Sequence, residues 1–547
     1  MHLIGQARRN GLRRAGGMTV ALLPFLLIAI RAPLAHAQTQ VVIDTRNVAS
    51  ASFMGFGAQW DAASYTQSGV TEQDYQVIEK RIRWMRLPVV RKMILTRWAL
   101  VADGVFNFET QEMRDLYRQL DICQREGIIV FLTDWGCEQS WTAAPGIQDT
   151  ADPKYAKAIG TYLDHLINKR GYTNIKYFIL VNEPNFEASD FEHWKVGLEN
   201  VRAELVSRGL ERAVTLAGPD HSNAESWLYR AVDQLAGVLG GYDVHRYADG
   251  ASVRSGDLET YFLDQWDYAR AKDPNVEGKP FVVGEAGMSD GANPPVGNEN
   301  INDYLYGLWM ADYGIQAARA GSHAILAWML DDNSFQPFYW GMWSNHRAGM
   351  VLRPWFYPWS LFTRYLPPGS TVYRAPQPSR DLRILASRSP LGEWTFCVVN
   401  RGDSAAHLLV RAPDSVARAF RIYEYSRVSS VTDADGFPVP MDAMTVVPEA
   451  GVDLWVPREA VIVVTSVQVT EPVVPRPRSL NLLGPDGPGR DLGRPAADTV
   501  RRDLTSARMA VPSAIARPDW VRYLADASPR PGSASGPADP SEATALY

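Results

Sequence analysis

The stretch Tyr177-Phe178-Ile179-Leu180-Val181-Asn182-Glu183-Pro184-Asn185 combines an apolar run with an abrupt polar end. Five apolar residues in succession, rich in aromatic and β-branched types, predict a short buried strand. A carboxylate next to such a run costs several kcal/mol unless it is paired or solvated. Glu183 is therefore expected at the carboxyl end of a buried strand, where it serves either chemistry or an ion pair.

A second stretch of the same kind follows about 100 residues later. Phe281-Val282-Val283-Gly284 is apolar and ends in Glu285-Ala286-Gly287. The separation equals roughly three strand–helix units of a barrel that uses about 250 residues for eight units. Glu183 and Glu285 would then stand at the ends of the fourth and seventh strands and face each other across the barrel mouth.

Short apolar runs alternate with amphipathic stretches from residue 53 to about 366. The predicted strands are Phe53–Trp60, Trp84–Val90, Gly127–Trp135, Lys176–Asn182, Ala213–Pro219, Gly240–Tyr247, Pro280–Glu285 and Ala324–Leu330. The predicted helices are Glu112–Glu126, Pro153–Lys169, Phe191–Ser207, Ala224–Ala236, Leu258–Lys272 and Asn302–Ala320. This alternation predicts a parallel sheet covered on both faces. Eight strands, with no Gly-rich phosphate loop after the first, favour an α/β (β/α)8 TIM barrel over 53–368.

The regions outside the barrel have different compositions. After Pro367-Pro368-Gly369, residues 369–470 show short strand-like runs separated by turns and predict a C-terminal all-β sandwich. The segment 38–52 contains a strand-like run that could join this sandwich. Residues 471–547, rich in Pro, Arg, Ser and Ala, are interpreted as a disordered tail.

The first 37 residues have the pattern of a secretory signal peptide. Arg8, Arg9, Arg13 and Arg14 precede an apolar run of about 12 residues, followed by Ala35-His36-Ala37. That run is too short for a membrane span, which needs about 20 residues, although an N-terminal anchor helix is the alternative. Cleavage is expected after Ala37, which predicts a secreted or periplasmic protein with no membrane association afterwards.

The composition excludes several classes of protein. Of the 547 residues 46% are hydrophobic and 21% charged, which is ordinary for a globular chain. With 55 basic and 61 acidic residues the net charge is -6, so nucleic acid is not an expected partner. The three cysteines, Cys123, Cys137 and Cys397, exclude a disulfide framework and a four-cysteine zinc site. Cys123 and Cys137 are interpreted as buried thiols or one disulfide.

Facing carboxylates suit glycoside hydrolysis. One group must be protonated to give a proton to the leaving oxygen, and the other must be ionised to attack the anomeric carbon. Like charges close together raise one of the two pKa values and so separate these roles. The structural alternative is that Glu183 and Glu285 are ion-pair partners of arginines in the barrel.

Asn182-Glu183-Pro184 after a hydrophobic strand resembles the acid/base motif of the clan A (4/7 superfamily) retaining glycoside hydrolases. The resemblance covers roughly residues 53–366, and it implies a barrel with its catalytic glutamates after strands 4 and 7. It implies that Glu183 is the general acid/base, that Glu285 is the nucleophile, and that Asn182 binds the 2-hydroxyl of the sugar.

Three further positions resemble the clan's pattern. Arg86, in Met85-Arg86-Leu87-Pro88, resembles the arginine that keeps the nucleophile ionised. His245-Arg246-Tyr247 resembles the clan's His-x-Tyr, in which Tyr247 would donate to the nucleophile, and Trp328 resembles its sugar-stacking tryptophan. The alternatives are a barrel-lining salt bridge for Arg86 and plain core positions for His245 and Trp328.

The end of strand 3 departs from that pattern, whereas the first strand resembles it in part. Strand 3 ends in Thr133-Asp134-Trp135 without the histidine that many clan members carry, so Trp135 or Asp134 is expected to contact the sugar. The opening Gly55-Phe56-Gly57 resembles some branches of the clan, and Trp60 and Asp61 after it are candidate sugar ligands.

The loop after strand 8 is unusually aromatic. Between Asp331 and Arg353 it contains Phe335, Phe338, Tyr339, Trp340 and Trp343. Aromatic faces stack on the apolar faces of sugar rings, whereas the alternative is that the loop packs on the sandwich.

We therefore predict a secreted glycosidase that hydrolyses O-glycosyl bonds of poly- or oligosaccharides with retention of configuration. Its partner is a carbohydrate, no cofactor or metal is expected, and the two carboxyl groups should lie about 5–5.5 Å apart. The alternatives are a non-catalytic carbohydrate-binding or cell-wall protein on a degenerate barrel and a transglycosylase that uses the same residues. The sequence leaves open the sugar, the linkage, exo or endo cleavage, the family within the clan and the oligomeric state.

Overall fold

The computed structural model describes residues 38–61, 69–294, 296–332 and 338–469. Three predictions concern residues outside these ranges and stay predictions. They are the signal peptide of residues 1–37, the tail of residues 471–547 and the role of Phe335. Within the described ranges, no helix has both the length and the apolar character needed to cross a membrane.

The strands and helices follow one another in the alternation that the sequence predicts. The strands are β1 Thr39–Val42, β2 Val48–Phe53, β3 Gly55–Gln59, β4 Val89–Ile94, β5 Leu100–Ala102, β6 Val105–Phe106, β7 Ile129–Asp134, β8 Ile175–Ile179, β9 Thr215–Ser222, β10 Gly241–Ala248, β11 Phe281–Met288, β12 Ala292–Asn293, β13 Gly297–Asn298, β14 Ala324–Ala327, β15 Ser370–Arg374, β16 Leu382–Arg388, β17 Trp394–Asn400, β18 Ala406–Arg411, β19 Arg418–Tyr425, β20 Asp442–Val446, β21 Val452–Val456 and β22 Ala460–Thr465. The α-helices are α1 Glu72–Met85, α2 Gln111–Glu126, α3 Pro153–Asp164, α4 Pro184–Glu187, α5 Phe191–Ser207, α6 Glu225–Leu235, α7 Gly250–Ser255, α8 Asp257–Lys272, α9 Tyr304–Ala320 and α10 Phe356–Tyr365.

Eight of these strands close into a barrel. Strands β3, β4, β7, β8, β9, β10, β11 and β14 lie side by side in chain order, each parallel to the next, and β14 pairs with β3. Helices lie between successive strands, which is the (β/α)8 arrangement, so the predicted fold class is confirmed. The lower interior of the barrel is an apolar plug formed by Val89, Phe131, Ile179, Ala217, Val282, Ala324 and Leu326.

Local signals explain where the helices begin and end. Helix α2 starts after Thr110, whose side chain accepts from the Met113 N–H, and it stops at Gly127, whose φ of 71° suits glycine. Its observed range differs by one residue from the predicted Glu112–Glu126. Since the cap and the apolar spacing agree, the boundaries of this helix are readable from the sequence.

The second barrel strand lies further along the chain than predicted. Residues Glu72–Met85 form helix α1, which begins with a capping box between Thr71 and Asp74, so the strand predicted at Trp84–Val90 is wrong. The real strand is β4, Val89–Ile94, and all six of its residues are buried. It was missed because Arg91 and Lys92 interrupt its apolar run.

The C-terminal domain consists of two sheets around a shared core. The larger sheet has the order β2-β15-β16-β17-β22-β19-β20 and its pairs are antiparallel, while the smaller sheet has the order β1-β18-β21. Trp394, Phe396 and Val464 of the larger sheet pack with Val41 and Leu408 of the smaller one. The predicted β domain is therefore present, and the N-terminal segment contributes one strand to each sheet.

The barrel and the β domain are joined by buried polar contacts. Arg319, at the end of helix α9, donates from Nη1 to the carbonyl oxygens of Ala375 at 2.7 Å and of Ile384 at 2.8 Å. The hydroxyl of Tyr365 is also hydrogen-bonded to that of Tyr423. Because the β domain covers helices α9 and α10, it supports the part of the barrel that carries the last two strands.

Candidate active site

Glu183 and Glu285 converge at the carboxyl ends of the barrel strands, as the sequence predicts. Glu183 caps the start of helix α4 with a left-handed φ of 42°, and Glu285 lies within β11. One carboxylate oxygen of each residue and a ring nitrogen of His245 lie within 4.8 Å of one another. The two glutamates therefore face the same small space from opposite strands.

Glu285 is buried and held by a cation and a hydroxyl. Arg91 donates from Nη1 to Oε1 at 2.9 Å, and the hydroxyl of Tyr247 donates to Oε2 at 2.7 Å. Burial raises the pKa of Glu285 to about 7, and the charges of His245 and Arg91 act in the opposite direction. Both oxygens are fixed, so the carboxylate has one orientation.

His245 connects the two ends of the site. Its Nδ1 lies 2.9 Å from Oε1 of Glu183 and its Nε2 lies 2.9 Å from Oδ1 of Asp220. Burial lowers the pKa of this imidazole, but the carboxylates of Asp220 and Glu285 outweigh burial and raise that pKa well above its usual value. Because both nitrogens face carboxylate oxygens, His245 is a doubly protonated imidazolium that donates to each.

Asp220 is a residue of the site that the sequence did not reveal. Arg91 donates from Nη2 to its Oδ2 at 2.6 Å, in addition to the contact from His245. Burial opposes ionisation, but Arg91 and His245 together lower the pKa of Asp220. The Asp220 carboxylate therefore pairs with Arg91, which contacts Glu285, and with His245, which contacts Glu183.

Arg91, and not Arg86, is the arginine of the site. Arg86 ends helix α1 and is exposed, so the prediction that it holds the nucleophile is wrong. Arg91 is fully buried and also donates to Oδ1 of Asn182 at 2.7 Å and to Oε1 of Gln59 at 3.1 Å. Within Val89–Ile94, alternation places Arg91 on the same face as Val89 and Met93, which is the signal that could have identified it.

A cluster of aromatic side chains lies next to Tyr247, whose hydroxyl holds Glu285. Trp328, Phe338 and Trp340 form one cluster with Met93 and Met329, and Trp135 and Tyr247 pack against it. Trp328 is 9% exposed, while Trp135 is half-buried. The predicted sugar contacts Trp135 and Trp328 therefore share one apolar surface next to Tyr247.

Three other residues predicted to contact the sugar make contacts within the protein instead. Trp60 is fully buried beneath Lys92, whose Nζ lies 4.3 Å from the ring centre, so the structure contradicts its role as a sugar ligand. Asp61 is 8% exposed, and its side chain accepts from Nε2 of Gln59. Asp134 is buried and accepts from Thr96 Oγ1 at 2.8 Å and from the hydroxyl of Tyr155. Of the two candidates on strand 3, only Trp135 packs against the aromatic cluster next to Tyr247.

The loop after the eighth barrel strand divides into two parts. Phe338 and Trp340 belong to the aromatic cluster next to Tyr247. Trp343 is fully buried, with the guanidinium of Arg81 4.9 Å from its ring centre. Trp343 thus packs against helix α1 of the barrel, whereas the alternative expected for this loop was packing on the sandwich.

Among the residues that the structure describes, two groups of side chains have ligand atoms close enough for a metal ion. They are Glu183, His245 and Glu285, and, one layer lower, Asp220, Asp243 and His245. Both include His245, whose two nitrogens each donate to a carboxylate, and Arg91 adds a second positive charge to both. The donor set therefore fits ion pairing among the protein's own groups. The three cysteines, all within the described ranges, are free and buried.

The fold matches solved structures of glycoside hydrolases. A GH30 endoxylanase from Clostridium papyrosolvens C71 has 13% identity and a TM-score of 0.58, covering 78% of this chain and 100% of its own. A β-xylosidase from Caulobacter crescentus CB15 has 14% identity and a TM-score of 0.53, covering 78% and 99%.

An α-L-arabinofuranosidase from Thermotoga maritima, solved with arabinose, has 13% identity and a TM-score of 0.55, covering 78% and 99%. No family model and no curated protein sequence matches the chain. At these identities the likeness shows the fold alone, which is a (β/α)8 barrel followed by a β domain.

Proposed function

We propose that this protein is a retaining glycoside hydrolase in which Glu285 is the nucleophile and Glu183 the general acid/base. In the first step Glu285 attacks the anomeric carbon while Glu183 protonates the departing glycosidic oxygen. The second step reverses the role of Glu183, which removes a proton from water as that water releases the sugar from Glu285. The sugar leaves with its original configuration because the anomeric carbon is inverted twice.

The observation that carries this proposal is the short distance between two carboxylates in different surroundings. One oxygen of each carboxylate lies within 4.8 Å of one oxygen of the other, and this closeness supports the short carboxyl separation of retention, about 5–5.5 Å, over the 6.5–9.5 Å of inversion. Glu285 is fixed through both oxygens by Arg91 and Tyr247, as an attacking group requires. Glu183 is the more exposed of the two, with 19% of its side chain accessible, and can meet a leaving group and water.

Tyr247 and Asn182 are proposed to support the nucleophile and the substrate respectively. Tyr247 holds Oε2 of Glu285 and shares the apolar surface of Trp328, which we propose as the stacking platform for the sugar. Asn182 is held by Arg91 through Oδ1, so its amide N–H groups remain to donate to a sugar hydroxyl. We propose β-glycosides or α-L-arabinofuranosides as the substrates. The proposed reaction uses no cofactor.

The test is hydrolysis of a panel of 4-nitrophenyl glycosides and polysaccharides, with proton NMR of the first product. We expect turnover of at least one substrate and a first-formed anomer of unchanged configuration. Glu285→Gln is the control for contaminating activity. An inverted product would refute the double displacement, and binding without turnover across the panel would favour the non-catalytic carbohydrate-binding alternative.

We also propose export of the protein through its first 37 residues. The support is the arginine-rich start, the short apolar run and Ala35-His36-Ala37. Fractionation of cells that express the full chain should place a product starting at Gln38 outside the cytoplasm, and deletion of residues 2–37 should retain it inside. Recovery of the full-length chain in the membrane fraction would support the anchor-helix alternative.

A further inference from the structure

Strands β9, β10 and β11 carry Asp220, Asp243 and Glu285. The pairing between neighbouring strands shifts by one residue at these positions. Between β9 and β10, pairing passes from Pro219–Asp243 to His221–Val244 and omits Asp220. Between β10 and β11, pairing passes from Val244–Val283 to His245–Glu285 and omits Gly284. An omitted residue on one strand is a β-bulge, which bends the strand and redirects the side chains that follow.

The bulge at Gly284 turns Glu285 toward the interior. Val282 belongs to the plug inside the barrel and Val283 to the core outside it. Strict alternation from these two residues would point Gly284 inward and Glu285 outward. Instead Glu285 meets Arg91 inside the barrel, so the extra residue supplies the change of face.

The bulge at Asp220 likewise turns the Asp220 side chain toward the interior of the barrel. Ala217 faces the plug, while a Cβ on Gly218 would meet Trp194 of helix α5 outside the barrel. Continued alternation would turn Asp220 outward, yet its carboxylate accepts from Arg91 and His245 inside. A left-handed φ of 60° at Asp220 marks the change.

Asp243, on the strand between these two bulges, lies against both. Its carboxylate, an oxygen of Asp220 and a nitrogen of His245 lie within 4.8 Å of one another. On the other side, a Cβ at position 284 would overlap Oδ1 of Asp243 and lie 2.9 Å from Oδ2. Asp243 is fully buried, and neither of its oxygens has a hydrogen-bond partner among the described residues. The absence of a side chain at Gly284 is what makes room for this carboxyl group.

We infer that Asp243 is a positioning residue: as a neutral carboxylic acid it occupies the space between the two bulges and keeps Glu285 and Asp220 turned into the barrel. It does not touch the reacting atoms but acts through the backbone at 284 and through the side chain of Asp220. The catalytic readouts below rest on the proposed function, whereas the structural readout does not.

The surroundings of Asp243 favour its neutral form. A buried carboxylate costs several kcal/mol unless it is paired or well hydrogen-bonded, and two carboxylates this close do not both ionise readily. Burial first, and then the charge of Asp220, raise the pKa of Asp243 well above its usual value. The cations that face it, Arg91 from β4 and His245 from its own strand, act in the opposite direction, but both are hydrogen-bonded to Asp220.

The test compares Asp243→Asn, Asp243→Ala, Gly284→Ala and the double variant Asp243→Ala/Gly284→Ala. Asparagine keeps the shape and neutrality of the acid, so kcat/KM should stay within about threefold of the parent. Alanine empties the space, and a misplacement of Glu285 by about 1 Å should lower kcat about 100-fold with a smaller change in KM. Gly284→Ala should be similarly damaging alone, whereas the double variant should lose less than the product of the two single losses, because the new methyl group occupies the emptied space.

A crystal structure of Asp243→Ala provides the readout that needs no activity. We expect the Glu285 carboxylate to leave Nη1 of Arg91, from which it lies 2.9 Å in the parent. An unchanged contact in that variant, or a loss in Asp243→Asn as large as in Asp243→Ala, would overturn the inference. If Asp243→Ala does not fold, Asp243→Asn and Gly284→Ala decide alone: a damaged asparagine variant or an undamaged Gly284→Ala overturns it. If the parent hydrolyses no glycoside, the proposed function fails while the Arg91–Glu285 distance still tests the positioning role.

Discussion

Arg91 donates to Glu285 across 2.9 Å although the two residues are 194 positions apart in the chain. The pair joins the second barrel strand to the seventh, and both side chains are buried. Arg91 simultaneously pairs with Asp220, so one guanidinium organises two acidic groups on different strands. The planar fork of arginine suits this arrangement, whereas a lysine offers a point charge without the second contact.

The first prediction concerns this arginine. Arg91→Lys should lower kcat/KM by about 100-fold or more, because one of the two acidic groups loses its partner and Glu285 shifts. Arg86→Lys, at the exposed end of helix α1, is the matched control and should leave kcat/KM unchanged. Equal activity of Arg91→Lys and the parent, with the fold verified by circular dichroism, would contradict the assignment of Arg91.

The second prediction concerns pH. Glu285 must be ionised to attack, and its pKa is raised by burial to about 7. The value of kcat/KM should therefore fall about tenfold per pH unit below about 7. A profile of kcat/KM between pH 4 and 9 checks this, and an acid limb centred near 4.5 would show that burial does not set the pKa of the attacking group.

The same pKa shift affects stability. The folded state binds the Glu285 proton more tightly than the unfolded state, whose value is 4.5, so the contribution of Glu285 to stability falls as pH rises from about 4.5 to 7. Glu285→Gln removes this titration. We expect the Tm of Glu285→Gln to exceed that of the parent by more at pH 8 than at pH 4.5, and an equal difference at both pH values would contradict the shift.

The third prediction separates the acid from the nucleophile. Glu183→Gln should lower kcat/KM by about 10²–10⁴-fold for substrates with poor leaving groups, which need protonation. Dinitrophenyl glycosides depart without a proton, so their kcat/KM should fall by less than about tenfold. Glu192→Gln, on the exposed side of helix α5, is the control. An equal loss on both substrate classes would assign Glu183 a structural role.

The fourth prediction concerns the charge of His245. Its two ring nitrogens each lie 2.9 Å from a carboxylate oxygen, so both should carry protons at pH 7. Nitrogen-15 NMR of histidine-labelled protein should show one imidazolium that persists above pH 8. Asp220→Asn removes one carboxylate and should lower the pKa of that imidazole, whereas an unchanged signal would contradict the contact with Asp220.

The fifth prediction concerns the aromatic cluster next to Tyr247. Trp328→Ala should raise KM about fivefold or more, because about 1 kcal/mol of stacking is lost. Trp60→Phe, which changes an indole buried beneath Lys92, should leave KM unchanged. Steady-state kinetics on the best substrate of the panel measure both variants, and a larger KM effect from Trp60→Phe would reverse the assignment.

Much of the barrel could be read from the sequence because its local signals agree. Helix α2 shows a cap at Thr110, a stop at Gly127 and apolar spacing between them. Glu183 and Glu285 were identifiable because each interrupts an apolar strand, and the spacing of the repeating unit related one to the other. Such patterns depend on neighbours in the chain, which a single sequence displays directly.

The residues that were missed depend on tertiary structure. Arg91 lies inside a strand whose charged pair, Arg91 and Lys92, breaks the apolar pattern, so the pattern predicts the strand too early in the chain and points to Arg86. Asp220 turns inward only through a bulge, and simple alternation predicts the opposite face. Trp60 resembles a binding residue at a strand end, yet packing buries it entirely.

The most direct test of the paired glutamates is trapping of the covalent intermediate. The protein is incubated with a 2-deoxy-2-fluoro glycoside of the sugar that it hydrolyses best, digested and examined by mass spectrometry. The account predicts a single addition on the peptide that contains Glu285, with fragmentation placing it on that residue. A label on Glu183 or on any other residue would contradict the proposed roles.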